Sequence, residues 1–127
     1  MAKLFLILAS LNGFVAVGLG AFAAHGLKSK LSAELLNTFQ TGVQYQMYHA
    51  LALFGVGLLA LNYPMSGVLR ASGFSFLFGI VFFSGSLYVL SLSGIRWLGA
   101  ITPLGGLGFL CAWALLIYFF LNTDLQA

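Results

Sequence analysis

Residues 97–121 read WLGAITPLGGLGFLCAWALLIYFFL, an uninterrupted run without a charged side chain. A helix that crosses ~30 Å of hydrocarbon needs ~20 mostly apolar residues, and this run is long enough. Arg96 stands before it and Asn122-Thr123-Asp124 follow. Working outward, comparable apolar runs occupy residues 4–24, 43–61 and 71–92. The segments between them are short, and short connections make sequential helices antiparallel neighbours. The ~10-residue alternation of a membrane β-barrel strand is absent. The sequence predicts an all-α membrane protein, a four-helix transmembrane bundle with antiparallel sequential neighbours. It forms a single four-span domain over 1–127, with spans near 4–24, 43–61, 71–92 and 97–121 and an amphipathic extension at 32–42.

Composition supports this. Hydrophobic residues make up 61% of the 127 and charged residues 6%, against about 25% charged in an ordinary soluble domain. Lys3, Lys28, Lys30, Glu34, Arg70, Arg96 and Asp124 cannot cover a water-soluble globule of this size. A soluble fold and a disordered tail are excluded. The net charge of +3 comes from scattered basic residues rather than a run, so no nucleic acid partner is expected. Cys111 is the single cysteine, which leaves no disulfide framework and no thiolate metal site. Lys3, an apolar stretch and Ala21-Phe22-Ala23 resemble a signal peptide, but the apolar run exceeds the usual 7–15 residues. An uncleaved first helix is expected.

The second helix carries most of the polarity. Ser32 with Glu34 after it can start a helix, and nothing breaks it before Asn62. Thirty residues would reach ~45 Å, so the first ten must protrude, lie in the interface or bend away. On a helical wheel, Glu34, Asn37, Thr38, Gln40, Thr41, Gln44, Tyr45, Tyr48 and His49 share one half. Leu35, Leu36, Phe39, Val43, Met47, Ala50, Leu53 and Phe54 share the other, with Gln46 the lone polar exception. The polar half is expected to face the bundle, a water-filled cavity or a partner, because lipid leaves polar groups unpaired.

Small residues at Ala9/Gly13 and Ala16/Gly20/Ala24 are spaced by four, a pattern that lets membrane helices approach closely. Gly79, Ser84, Gly85 and Ser86 are expected to do the same in the third span. Pro103 removes a helical hydrogen bond, and a kink is expected there. Tyr63 and Trp97 fall at span ends, where amphipathic rings favour the interface.

An antiparallel bundle gathers His25, Lys28, Lys30, Glu34 and Arg96 at one membrane face, with His49 roughly 10 Å inside it by helical rise. The candidate ligand- or partner-binding residues are therefore His25, Lys28, Gln44, Tyr45, His49 and Arg96. In one reading they form a pocket open to one leaflet, its cations meeting a phosphate or carboxylate while Gln44, Tyr45 and His49 offer deeper hydrogen bonds. In the other, the deeper residues bond neighbouring helices and Asn12 and fix the packing. No metal site is expected, since the histidines lie at different depths without further ligands. No catalytic residues are assigned, because Asp124 lies at the opposite face and Cys111 lies deep in the fourth span. No cofactor is expected, and the glycines at 105, 106 and 108 lack a following Lys-Ser/Thr.

Three stretches carry a family likeness: GAFAAHGL at 20–27, FQTGVQYQMYHALAL at 39–53 and RWLGAITPLGG at 96–106. They resemble the YgdD/YwdK-like family of small bacterial inner-membrane proteins, with Ala23 standing where Gly is more usual. The resemblance implies a four-span, multi-pass protein of the cytoplasmic (inner) membrane, and it implies no activity. The functional expectation is a non-enzymatic protein among membrane lipids that binds a lipid-like, amphiphilic ligand or acts as an accessory subunit to a membrane-protein partner. The alternative is a small homo-oligomeric transporter or channel. Lys3 and Arg70 share one side with the end of the chain, and Lys28, Lys30 and Arg96 share the other. The positive-inside rule then favours both termini outside the cytoplasm.

Overall fold

The computed structural model describes residues 1–125, and among these the regular structure is helical. Helix α1 (Ala2–Phe22) runs on through a π-turn (Ala23–Leu27). Helix α2 spans Ala33–Asn62. Helix α3 (Gly67–Gly79), a π-turn (Ile80–Ser84) and α4 (Gly85–Ser93) form one continuous rod. A 3₁₀ turn (Arg96–Ala100) leads into α5 (Thr102–Asn122).

Local chemistry sets the boundaries. The Ser32 hydroxyl accepts the Leu35 amide at 3.2 Å and starts α2, with Glu34 in the positive first turn. Ser66 caps α3 in the same way through the Leu69 amide. Gly94 ends α4 at φ +73°, its amide donating to the Leu90 carbonyl at 2.8 Å. A side chain is strained in that left-handed conformation. Pro103 stands in the first turn of α5, where its missing N–H has no helical partner to lose. The expected kink is not in the helix interior. Pro103 starts α5, and the irregular backbone precedes it.

Three stretches are long and apolar enough to cross a membrane: Ala2–Leu27, Gly67–Ser93 and Arg96–Asn122. Helix α2 has the length but not the apolarity. It packs along α1 on one side and against the α3–α4 rod on the other, while α5 packs on α3 and the second π-turn. The α2 line Phe39, Gly42, Gln46, His49, Leu53, Val56 and Ala60 is buried. Phe5, Leu53, Val56, Leu69, Phe76 and Phe119 form the main core. Outside, Phe14 is 80% and Leu110 67% exposed, an apolar periphery that water would not tolerate and lipid does.

Backbones approach closely at small residues, as expected in lipid, where van der Waals packing drives helix association. A Cβ on Gly105 would strike the backbone of Phe82 and Phe83, and one on Gly79 would strike the Phe109 ring. In α1 and its π-turn the buried small residues are Ala9, Ala16 and Ala23. Gly13 faces open space and Ala24 is exposed, so the seam differs from the four-residue spacing. Serine hydroxyls add cross-links: Ser84 donates to the Gly42 carbonyl at 2.7 Å and Ser72 to the Ala112 carbonyl at 2.9 Å.

Candidate functional site

The six candidate residues fall into separate places. His25 is exposed in the first π-turn, and Lys28 is exposed in the connection after it. Arg96 pairs with Glu34 (Nη1 to Oε1, 3.0 Å), with 73% and 69% of the side chains exposed, a geometry that contributes little stability. Gln44 is exposed on α2. His49 lies 15 positions beyond Glu34, ~22 Å along the helix axis, because α2 runs unbroken from Ala33 as its sequence predicts. The charged end and the histidine therefore do not form one pocket.

Tyr45 and His49 do come together, ring to ring at 5.9 Å. The His49 imidazole lies flat on Phe109 of α5, with centroids 3.6 Å apart and planes at 8°. Tyr45 stacks on Phe83 of the second π-turn at 4.5 Å. Helices α2 and α5 both lean on the α3–α4 rod and leave a groove between them. Its upper part, about 580 Å³, is lined by Tyr45, His49, Phe83, Pro103, Phe109 and Trp113 among others. Beyond Trp113 a second cavity of about 480 Å³ runs between Ala52, Leu59 and Asn62 on one wall and Leu116 and Phe120 on the other.

His49 is the buried polar residue of the upper groove, while Tyr45 and Trp113, which also line it, are exposed. Its Nδ1 lies 2.7 Å from the Tyr45 carbonyl. A carbonyl only accepts, so Nδ1 carries the proton and Nε2 is left as an acceptor. Nε2 has no hydrogen-bond partner among the described residues, although the residue is only 6% exposed. Yet no buried, unpartnered side-chain nitrogen or oxygen is found among them. Nε2 therefore opens to the groove rather than being sealed in the core.

Residues 19–106 match the family described as protein of unknown function (DUF423). Over 115 residues the chain is 50% identical to the UPF0382 membrane protein YwdK of Bacillus subtilis, covering 91% of this chain and 94% of the relative. It is 45% identical over 118 residues to a UPF0382 membrane protein of Haemophilus influenzae, covering 93% and 94%. It is also 40% identical over 116 residues to the UPF0382 inner membrane protein YgdD of Escherichia coli, covering 91% and 88%. The chain belongs to this family. No solved structure matches it. The family match includes His25, Tyr45, His49, Phe83 and Arg96, while Phe109 and Trp113 on the α5 wall lie beyond it.

A second polar assembly lies behind the groove. Tyr88 of α4 donates to Gln46 Oε1 at 2.6 Å, and Gln46 Nε2 donates to Asn12 Oδ1 at 3.0 Å. Asn12 Nδ2 in turn donates to the Leu8 carbonyl at 2.9 Å. This chain joins α1, α2 and α4 inside the bundle and was not among the predicted site residues. Its signal in the sequence was Gln46, the one polar residue on the apolar half of α2. The predicted polar half behaves differently: Glu34, Asn37, Gln40, Gln44 and Tyr48 are exposed, and it is Gln46, not Gln44, that reaches Asn12.

Proposed function

We propose that this chain is a non-enzymatic, four-span protein of the cytoplasmic membrane that holds a lipid-like amphiphile in the groove between α2 and α5. The observation that carries the reading is the groove itself, two apolar cavities in line between helices that share one supporting rod. Lipid or a ligand tail must fill such a space, because a dry void forfeits dispersion contacts. Helix α2 serves as the fourth span. Flanked by α1 and the α3–α4 rod, it presents fewer positions to lipid, and that shielding allows its lower apolarity.

Native mass spectrometry from lipid particles, without delipidation, tests the reading. Gly55 and Gly106 line the groove, and a Cβ there finds open space or a single contact at 3.9 Å. Gly55→Phe with Gly106→Phe should fill the groove and leave the core in place. A discrete amphiphile retained by the wild type and lost from this variant is the expected result. No retained mass, or equal retention by both proteins, would overturn the proposal.

A second reading rests on the exposed α2 stripe of Gln40, Gln44 and Tyr48, which favours contact with a partner subunit or another copy of the chain. The same spectra read it as a foreign subunit or a fixed oligomer that Gln44→Leu dissociates. A monomer in every sample would count against it.

A further inference from the structure

Resting on the groove reading, we infer that the occupant's head is a neutral ring bearing a hydroxyl donor, a hydroquinone with an apolar tail, whose O–H donates to His49 Nε2. Depth is the first argument. His49 lies 6 positions from Val43 and 12 from Leu61, so ~9 Å and ~18 Å separate it from the two ends of the apolar span at 43–61. A charged head drawn ~9 Å into hydrocarbon loses its hydration, which is costly. A lipid whose polar head meets Nε2 is therefore neutral.

Complementarity is the second. Nε2 is an acceptor only, on a side chain that is 6% exposed and open to the groove. An unmade hydrogen bond at such a buried group costs free energy in hydrocarbon, and a hydroxyl supplies the missing partner. A quinone, which carries only carbonyl acceptors, does not. Around this atom stand the rings of Tyr45, Phe83, Phe109 and Trp113, walls suited to a flat aromatic head by offset or edge contacts. The lower cavity, which shares Trp113 with the upper one and runs to Asn62 and Phe120, offers an apolar berth for the tail.

The test uses protein labelled with ¹⁵N at histidine and tryptophan, in lipid nanodiscs at pH ~8, above the ordinary histidine range. A His25→Gln background makes His49 the only histidine, and His25 stands outside the groove. The probes are a decyl-tailed hydroquinone, the corresponding quinone and the di-O-methyl ether. The Trp113 indole resonance reports groove occupancy, and the His49 Nε2 resonance reports the hydrogen bond. The hydroquinone should shift both saturably and bind about tenfold more tightly than the other two, a factor one hydrogen bond supports. In His49→Phe, which keeps a ring over Phe109, the three affinities should converge.

If all three probes move Trp113 with equal midpoints while Nε2 stays unmoved, donor recognition is overturned and the groove reading stands. If none moves Trp113, both fall. A decyl alcohol that displaces the hydroquinone at equal concentration would overturn recognition of the ring. The ligand comparison on the His49-containing protein is decisive even where His49→Phe fails to fold.

Discussion

Gly105 and Gly13 are the same residue in apolar membrane helices, but their surroundings set opposite outcomes for an added methyl. At Gly105 a Cβ would enter the backbone of Phe82 and Phe83, and at Gly13 it meets nothing within 4 Å. Gly105→Ala should therefore lower stability by ~1–3 kcal/mol, the usual cost of overpacking. Gly13→Ala should be neutral or slightly stabilising, since alanine is the better helix former. Unfolding in mixed detergent micelles compares them, and equal effects would contradict the close approach of α5 to the second π-turn. The small-residue pattern was visible in the sequence, but which members make contact was not. Each glycine's role depends on what another helix places opposite it.

At the level of elements, α2 is the helix on which α1 and the α3–α4 rod are assembled. Its sequence revealed the cap at Ser32, the thirty-residue length and the end before Pro64. The helical wheel placed Tyr45 and His49 on the polar half, but much of that half is exposed in the fold, because polarity marks the side that can bear exposure as well as the side that is buried. Gln46 was conspicuous on the wheel, but its partners Asn12 and Tyr88 lie 34 and 42 residues away, and local periodicity carries no such pairing. A double-mutant cycle of Tyr88→Phe and Gln46→Leu should give a coupling energy of about 0.6 kcal/mol, typical of hydrogen bonds between membrane helices. Strict additivity would show that the α2–α4 bond contributes nothing to assembly.

For the whole molecule, the number of crossings decides the sidedness of the chain. Tyr63, after α2, packs its ring on Phe119 at 5.2 Å and donates to the Asp124 carbonyl, while Met1 packs against the core cluster that Tyr63 also joins. Under the proposed four crossings, Lys3 and Asp124 lie on one side and Ser29 on the other. Single cysteines at these positions in a Cys111→Ala background, labelled by a membrane-impermeant maleimide, should react in that pattern. Labelling of Lys3→Cys and Asp124→Cys from opposite sides would remove α2 from the membrane. Both of the first two positions labelling from outside would support the orientation favoured by the basic residues.

By itself, the sequence determined that this is a helical membrane protein, the limits of its second helix, and which family it belongs to. Those properties follow from apolar run length, capping residues and local motifs, all of which act over a few neighbouring positions. The tertiary structure decided that His49 and Arg96 do not share a pocket, that Gln46 rather than Gln44 is the buried amide, and that α2 and α5 leave a groove with an open imidazole nitrogen. These depend on helix–helix register, set by contacts between residues far apart in the chain. In lipid that register comes from small residues and buried hydrogen bonds rather than from an amphipathic pattern, because apolar side chains face both the core and the solvent.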